Sequence, residues 1–504
     1  MVNYTINNAT MYDETEPLVQ KSEKIFNPAK TRPPMKYAII IPAIVFTVLG
    51  VQIHLYVVNE WTQYVIRNSE FPNLTAVANF TACSDTESNH TNSEYSQYKT
   101  VQQKSAEWIT FYNIALHVPA LFSCFLFTSL TDAHGRRFLF ILASFGLCCR
   151  SSLMAAIIYF KLSFSYVVSI YALDGVLGSS YAIYAMAYSY VADLTTRDNQ
   201  RVLYIVFIQF TIVATTMLSS FLSGSLIEDW NLGYFYTDLI SVFIGFIGFF
   251  MFAFAVPESL TDKSMITNRP FCTMFKRPLQ FYCSQKFKET RLCYVLLLAS
   301  FAFAEISGLN RSSIETLYFL GQPFCWGPKA IGYFQTTRHA IQGFLGLGSV
   351  KLFQKCISNE FIAILSTLSN ASSFVLEAYA KDYIIFIVPV VGIFGFLLSP
   401  LIRAMMSNIT SPEKQGAVFA GIAAVEVLSS IITLIAENAV YAWTLSQMNG
   451  FVFLIMAAFC VIDLTLLLCF CYVKPYKSLG TEVLIQESSR VIRTKWEKSK
   501  SEWF

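Results

Sequence analysis

The sequence predicts an all-α membrane protein of twelve transmembrane helices, and three observations support this prediction. The chain has 504 residues, of which 54% are hydrophobic, and its mean hydropathy is +0.48. Only 14% of the residues are charged, whereas soluble domains carry about 25%. The apolar residues occur in runs of roughly 20, the length that a helix needs to cross the hydrocarbon core of a bilayer. We therefore expect most of the surface to contact the lipid bilayer.

Twelve apolar runs have this length, and we number them as spans in chain order. The spans cover residues 37–57, 107–130, 138–160, 165–191, 202–226, 233–256, 293–319, 330–353, 361–379, 383–406, 416–442 and 449–473. The first span follows a polar segment, residues 1–36. It is therefore not predicted to be a cleavable signal peptide, whose apolar run lies near the start of a chain.

Lys and Arg residues predict the orientation of the chain. They are concentrated in segment 1–36, in the linker 257–292 and in the tail 474–504, whereas the alternate loops contain few of them. By the positive-inside rule, both termini are predicted to be cytoplasmic. The long loop 58–106 is then extracytoplasmic. It contains three glycosylation sequons, at Asn73, Asn79 and Asn89, as expected for a loop on that side.

Cysteines and charge exclude several classes of function. The twelve cysteines include no C-x-x-C pair, and the net charge is only +3, so neither a zinc site nor nucleic-acid binding is predicted. No phosphate loop, H-E-x-x-H sequence or catalytic triad is present. We expect no enzyme activity, no cofactor and no metal. Cys83 and Cys325 lie on the predicted oxidising side, where they either form a disulfide or remain unrelated thiols.

An internal repeat relates the two halves of the chain. Residues 192–203, "ADLTTRDNQRVL", follow span 4, and residues 407–419, "SNITSPEKQGAVF", follow span 10. At an offset of 215 residues, Leu194, Thr195 and Gln200 align with similar or identical residues. Parallel six-span repeats are typical of transporters. The repeat predicts two six-helix bundles, residues 37–256 and 293–473.

Ionisable residues inside spans are costly unless they face a partner or a cavity, so they are candidate functional residues. Arg311 and Glu315 are four residues apart and hence on one helix face. They either form a structural ion pair, or Arg311 faces a cavity and binds an anionic group of a substrate. Asp174 is either a proton or cation carrier or the partner of a polar neighbour, and Glu426 is a potential partner of Arg403. The candidate substrate-binding or ion-binding residues are Asp174, Glu305, Asn310, Arg311, Glu315, Arg403 and Glu426.

The turn between spans 2 and 3 reads "LTDAHGRRFLF", residues 130–140. Gly135 permits a tight turn, and Asp132 can accept hydrogen bonds from amides at a helix start or pair with an arginine. Arg136 and Arg137 either form a latch across the cytoplasmic face or only anchor the chain at the membrane surface. The D-x-x-G-R-R pattern resembles the signature loop of the major facilitator superfamily, although Thr128 replaces its usual first glycine. "VPES" at 256–259 also resembles that superfamily.

Three segments of the second half give a closer resemblance: "FCWGPKAIGYF" (324–334), "LLSPLIRAMMS" (397–407) and "EKQGAVFAGIAAVE" (413–426). They resemble solute carrier family 46, which contains the proton-coupled folate transporter. The resemblance implies a major facilitator fold of two six-helix bundles with alternating access to a central cavity. It also implies a Cys83–Cys325 disulfide and a role for Arg403 in transport.

The sequence departs from the folate-carrying members of that family at three positions. Gly308, Gln209 and Ser179 stand where those members carry a histidine, a glutamate and an aspartate. We therefore expect neither that folate is the substrate of this chain nor that protons are coupled by the same route as in those members.

The sequence thus favours a secondary active transporter of a small organic solute, anionic and coupled to protons. The alternative is a membrane nutrient sensor or receptor with the same fold that transports no solute. Two short patterns, "ETEPLV" at 14–19 and "YKSL" at 476–479, resemble endocytic sorting signals. They leave the plasma membrane and the endolysosomal membrane as equal alternatives, and the oligomeric state stays open.

Overall fold

The computed structural model is helical, and its described residues contain no β-strand. These residues are 38–72, 89–195, 199–227, 229–259, 288–308, 311–320, 324, 326, 328–410, 415–444, 448 and 450–473. Eleven helices within these ranges are long and apolar enough to cross a membrane. Seven spans consist of one helix each: Ile40–Glu70, Asn89–His134, Arg136–Phe160, Asn199–Ile227, Asn359–Tyr379, Gln415–Thr444 and Phe451–Val473.

Span 8 is the predicted span that is absent from those eleven. It is nevertheless helical from residue 328 to residue 353, as the helix Pro328–Ala340, the π-helical turn Ile341–Leu347 and the helix Gly348–Phe353. Its sequence contains Arg338 and His339 among other polar residues, which lower its hydropathy. The twelve-helix prediction therefore holds for helical structure, with one span more polar than the rest.

Four other spans contain an interruption or an irregular turn. Span 4 comprises the helices Phe164–Val176 and Ser179–Leu194, and span 7 comprises the helices Lys288–Gly308 and Arg311–Leu320. Span 6 comprises the helix Gly233–Phe250 and the π-helical turn Met251–Ala255. Span 10 comprises two 3₁₀ turns, Asp382–Ile387 and Gly395–Leu397, and two helices, Val388–Val391 and Leu398–Asn408. Irregular backbone at membrane depth is tolerated where protein buries it or where it lines a cavity.

The predicted loop 58–106 was too long at both ends. The helix of span 1 continues to Glu70, and the helix of span 2 already begins at Asn89. Trp61 is buried in this continuation, and Lys104 forms an ion pair of 2.5 Å with Glu70. Residues 58–70 combine buried residues such as Trp61 with polar ones, so the run of apolar residues ends before them.

Among the described residues, one hydrophobic core contains residues of both halves of the chain. At the predicted cytoplasmic end, Phe140 and Tyr190 of the first half share a single core with Leu401 and Phe419 of the second half. At the other end, the two halves have separate cores. One contains Trp61, Tyr112 and Tyr171, and the other contains Phe319, Phe334 and Phe453. The halves are therefore packed together at the predicted cytoplasmic end.

A hydrogen-bonded arginine connects the two halves at that end. Arg201 donates to the carbonyl oxygens of Ala192, at 2.9 Å, and Thr195, at 3.1 Å, within the first half. Its Nη1 atom also donates to the carbonyl oxygen of Ser407 in the second half, at 3.0 Å. Arg201 is buried, so these bonds form away from water.

Gln415 makes the corresponding contacts in the second half. Its side-chain amide donates to the carbonyl oxygens of Ser407, at 2.9 Å, and Thr410, at 3.2 Å. These two acceptors stand 215 residues after Ala192 and Thr195, the acceptors of Arg201. The sequence repeat is thus matched by a repeated pattern of hydrogen bonds.

Glu258 organises the turn between spans 2 and 3. Its carboxylate accepts hydrogen bonds from the backbone amides of Arg136, at 2.8 Å, and Arg137, at 3.1 Å, at the first residues of the span 3 helix. Such an anion at a helix N-terminus is favourable because the amides there lack partners within the helix. The sequence had suggested Asp132 as an acceptor at a helix start, and the Asp132 side chain lies outside the described structure. At the start of span 3, the acceptor is Glu258.

The two arginines of this turn contact the ends of other spans. Arg136 forms a buried ion pair of 3.0 Å with Asp193, at the end of span 4. Asp193 also accepts a hydrogen bond of 3.0 Å from the Ser259 hydroxyl. Arg137 donates to the carbonyl oxygen of Ala253 in span 6. The turn therefore ties spans 3, 4 and 6 together within the first half.

We predict that Gly135→Ala destabilises the protein. Gly135 has a φ of 99°, and a Cβ atom there would lie 2.3 Å from Glu258 Oε2. A strained backbone and a displaced carboxylate together predict a loss of about 1–3 kcal/mol in stability. The measurement is thermal unfolding of the purified protein. Gly233→Ala is the matched control, because Gly233 has a φ of 70° but no atom within 4 Å of the added Cβ. Equal effects of the two substitutions would contradict the role given to Glu258.

Candidate functional site

A cavity of about 280 Å³ lies between the two halves. Spans 4 and 5 of the first half and spans 7 to 11 of the second half contribute to its wall. Its volume is near the lower end of the range of small-molecule sites. The lining residues are Tyr184, Tyr188, Gln209, Ile212, Ala304, Glu305, Gly308, Arg311, Arg338, Gln342, Asn370, Phe374, Gly395, Phe396, Leu398, Ser399, Arg403 and Glu426.

Arg403 is the centre of one group of charges in this wall. Its guanidinium forms an ion pair of 2.7 Å with Glu426 of span 11 and donates to the hydroxyl of Ser399, one turn earlier in span 10. Ser399 in turn donates to Glu305 of span 7, at 2.7 Å. The pair of Arg403 and Glu426 that the sequence had suggested is therefore present, and Glu305 joins it through Ser399.

Aromatic rings hold the Arg403 guanidinium from two sides. It lies 4.7 Å from the ring centre of Tyr188 and 4.8 Å from that of Phe301. The Tyr188 hydroxyl donates to the side-chain oxygen of Gln209. Tyr188 and Gln209 belong to the first half and Arg403 to the second. The cation–π contact, which is favourable for a planar guanidinium, therefore crosses between the halves.

The charges of the Arg403 group do not balance when both carboxylates are ionised. Arg403 contributes one positive charge, and Glu305 and Glu426 contribute two negative charges. Glu305 interacts electrostatically with both of the others. Both carboxylates are partly exposed. One proton on either carboxylate would make the group neutral.

A second group, which we call the charge quartet, contains two arginines of the wall, Arg311 and Arg338, and two glutamates behind them, Glu315 and Glu377. Arg311 pairs with Glu315 at 2.9 Å and with Glu377 at 2.6 Å, and Arg338 pairs with Glu315 at 3.0 Å. All four side chains are at most 4% exposed. The two positive and two negative charges balance, as a buried ionic group requires.

The charge quartet joins spans 7, 8 and 9. Arg311 also lies 4.4 Å from the ring centre of Phe374 in span 9, and Arg338 donates to the Ser312 hydroxyl in span 7 at 2.9 Å. For Arg311 the sequence had left two alternatives, a structural ion pair with Glu315 or a position facing the cavity. The ion pair is present, and Arg311 also lines the cavity. Binding of an anionic group by Arg311 stays a prediction.

Asp174 lies elsewhere, inside the first half. Its carboxylate pairs with Arg150 of span 3 at 2.7 Å and accepts a hydrogen bond of 3.1 Å from Ser179, just after the interruption of span 4. His54 and Asp238 form a further buried contact of 2.9 Å between spans 1 and 6. None of these residues is among those that line the cavity. Arg150 had no partner assigned from the sequence.

Several residues of the cavity wall and of the charge quartet were not selected from the sequence. Glu377 of span 9 and Arg338 of span 8 are ionisable residues inside spans, so the rule that selected Arg311 also applies to them. Tyr188 and Gln342 carry no such signal, because a tyrosine or glutamine in a span is usually a packing residue.

Other predicted residues lie outside the described structure. They are Cys83, Cys325, Asn73, Asn79 and Asn310, together with the side chains of Asp132 and Asn89. Within the described part of the chain, no three His, Cys, Asp or Glu side chains come together as metal ligands.

Comparisons with curated proteins find relatives along most of the chain. A lysosomal proton-coupled steroid conjugate and bile acid symporter, SLC46A3, of Gallus gallus is 26% identical over 446 residues, which are 86% of this chain and 93% of that protein. Its Homo sapiens counterpart is 26% identical over 441 residues, 85% of this chain and 93% of that protein. A proton-coupled folate transporter of Rattus norvegicus is 27% identical over 369 residues, 71% and 77% of the two chains. No family model matches the chain.

Solved structures share the fold. The human organic anion transporter MFSD10 matches with a TM-score of 0.62 at 13% identity, over 86% of this chain and all of that one. The proton:xylose symporter XylE matches with a TM-score of 0.59 at 14% identity, over 86% and 95% of the two chains.

These matches agree with the helical transporter fold, and the relatives named are transporters rather than enzymes or sensors. The chain is a secondary active transporter with the major facilitator fold, and it resembles solute carrier family 46, the family of the proton-coupled folate transporter.

Proposed function

We propose that this transporter carries a small amphipathic organic anion together with a proton, by alternating access to the cavity between its halves. The observation that supports this most directly is Arg403, a cation in the cavity wall that faces two carboxylates, Glu305 and Glu426. Relatives that cover most of the chain are named as proton-coupled symporters of steroid conjugates and bile acids or as proton-coupled folate transporters. Steroid conjugates and bile acids are amphipathic anions.

The wall of the cavity suits both parts of such a molecule. The guanidinium of Arg403 presents a planar set of donors that matches a sulfate or carboxylate group. Tyr184, Phe374, Phe396 and Leu398 offer apolar surface in the same cavity, where a hydrocarbon body is favourably removed from water. We do not propose folate as the substrate, because Gly308, Gln209 and Ser179 replace the histidine, glutamate and aspartate of the folate-carrying relatives.

Coupling follows from the charge count at Arg403. With Glu305 and Glu426 both ionised, a substrate anion would add a third negative charge beside one guanidinium. With a proton on one carboxylate, the anion meets a neutral group and can share the guanidinium. Glu305 is the better proton acceptor of the two, because Glu426 pairs directly with Arg403 whereas Glu305 contacts the Ser399 hydroxyl. Anion and proton therefore favour each other's binding.

The gate is proposed to lie at the predicted cytoplasmic end. The shared core, the bond from Arg201 to Ser407 and the turn at Gly135, Arg136 and Arg137 all lie there. Release of the shared core and of the bond from Arg201 to Ser407 would let the two halves, residues 37–256 and 293–473, separate at this end and close at the other. Substrate and proton would enter from the extracytoplasmic or lumenal side and leave to the cytosol.

The topology that fits this direction has both termini in the cytosol and loop 58–106 on the opposite side. In that topology at least one of the three sequons in this loop carries a glycan, and Cys83 pairs with Cys325. The lysosomal relatives and the two sorting patterns support an endolysosomal membrane, with the plasma membrane as the alternative.

Uptake into liposomes tests the proposed function. Purified protein would be reconstituted, and accumulation of a labelled steroid sulfate, a labelled bile acid and folate measured with pH 5.5 or 7.4 outside and 7.4 inside. We expect accumulation of the steroid sulfate or the bile acid above equilibrium only with acid outside. Binding of these anions without uptake at either pH would favour the alternative function, a nutrient sensor that transports no solute. Accumulation that is the same with and without the proton gradient would contradict proton coupling.

We predict that Arg403→Gln lowers steroid sulfate uptake about a hundredfold, since loss of one partner of a buried charge pair costs about 2–5 kcal/mol. Arg403→Lys keeps the charge but loses the planar set of donors, so we expect an intermediate loss, of about tenfold. Initial uptake rates at matched protein content check both values. A wild-type uptake rate in the Arg403→Gln variant would show that Arg403 does not bind the substrate.

We predict that Glu305→Gln separates exchange from accumulation. A glutamine mimics the protonated carboxyl, so the variant should exchange labelled for unlabelled substrate equally well at pH 5.5 and 7.4. It should not accumulate substrate under an acid gradient, because no proton leaves with the anion. Glu107→Gln is the control, since Glu107 is exposed on the predicted extracytoplasmic part of span 2. Wild-type accumulation by Glu305→Gln would assign the proton to another group.

A further inference from the structure

We propose that the cavity contains a second subsite, formed by Gln342, Arg338 and Asn370, that binds a neutral hydrogen-bond acceptor of the substrate. The inference rests on the proposed function and refines its substrate class. The substrate would be an amphipathic anion that carries a carbonyl or similar acceptor at a distance from its charged group.

Gln342 has an unused donor in the wall of the cavity. Its side chain is 1% exposed, and its Nε2 atom has no hydrogen-bond partner among the described residues. Buried side-chain donors in proteins nearly always have a partner, and leaving one without an acceptor costs about 1–3 kcal/mol. An acceptor atom supplied by a bound substrate would remove this cost, and Gln342 lies where substrate can reach it.

Two glycines pack closely against this amide. A Cβ atom on Gly392 would lie 2.7 Å from Gln342 Nε2. A Cβ atom on Gly395 would lie 3.6 Å from the same atom and 3.1 Å from Asn370 Oδ1. Any other residue at Gly392 would displace the donor, so the glycine keeps the Gln342 amide in its place in the cavity wall.

The backbone is irregular on both sides of Gln342. Gln342 belongs to the π-helical turn Ile341–Leu347, and the two glycines flank the interruption between Val391 and the 3₁₀ turn Gly395–Leu397 in span 10. Single π-helical turns occur frequently at functional sites, and interrupted spans form the substrate sites of many transporters. Two such features meet at this corner of the cavity.

The charges at this corner favour a neutral group over an anion. Arg338 and Arg311 are opposed there by Glu315 and Glu377 in the charge quartet. A second anionic group would disturb this balance, whereas a carbonyl oxygen accepts from Gln342 and from the edge of the Arg338 guanidinium without adding charge. Arg403 remains the position for the anionic group. The two subsites therefore select molecules with different polar groups at two positions of one apolar body.

A matched pair of substrates tests this subsite. One is a labelled steroid sulfate with a ketone on the ring most distant from the sulfate, and the other is the same compound with a methylene in place of the ketone. A single hydrogen bond is worth about tenfold in binding, so wild-type protein in liposomes should show a KM about tenfold lower for the ketone. Gln342→Leu should raise the KM of the ketone to that of the methylene compound and leave the latter unchanged.

Gln335→Leu is the matched control, because Gln335 lies two turns earlier in span 8 and donates to the Ser312 carbonyl and the Thr316 hydroxyl, not to the cavity. It should keep the wild-type preference for the ketone. Gln342→Met is the second variant if Gln342→Leu does not reconstitute. Wild type that transports both compounds without preference, or a Gln342 variant that keeps the preference, overturns this inference alone. Wild type that transports neither these compounds nor a bile acid overturns it together with the proposed function, and transport of the bile acid alone overturns only this inference.

Discussion

The interior of this transporter depends on one constraint, the cost of a charge away from water. A lone ionised group at membrane depth costs several kcal/mol, so such groups survive only with partners or beside a cavity. Arg150 pairs with Asp174, Arg311 with Glu315 and Glu377, and Arg403 with Glu426. Most of these pairs join different spans. Each of those pairs therefore also fixes how neighbouring helices pack, and two of the groups fix the helices around the cavity.

The difference between the two charged groups of the cavity gives the cavity its chemistry. The charge quartet is balanced, so it stabilises spans 7, 8 and 9 and needs no further charge. The Arg403 group has one carboxylate more than it has cations, so it is neutral only after it has taken up a proton. In the proposed function, the Arg403 group binds a proton and an anion together, and the inferred subsite beside the charge quartet binds a neutral polar group. The cavity thus presents two different polar environments to one ligand.

The two ends of the molecule have different roles. Both halves share a core at the predicted cytoplasmic end, where the bond from Arg201 to Ser407 also joins them. At the other end the halves have separate cores. In the proposed mechanism, the halves move as units, and the contacts that join them break when the predicted cytoplasmic end opens. Glu258 stabilises this region by accepting hydrogen bonds from the backbone amides at the start of span 3. The glycine at position 135 leaves space for this carboxylate, because a Cβ atom there would overlap with it.

The sequence by itself determined the number of helices, the repeat between the halves and most of the ionisable residues that matter. It could do so because the bilayer imposes a length on apolar segments and a cost on buried charge, and both constraints are reflected in the order of residues. Only the tertiary structure decided which residues meet. Asp174 lies inside the first half rather than at the cavity, Glu258 contacts the start of span 3, and Glu377 completes the charge quartet. These contacts join residues separated by many positions in the chain, and helical spacing describes only neighbours on the same helix. Which faces of different helices come together is decided by their packing around the cavity.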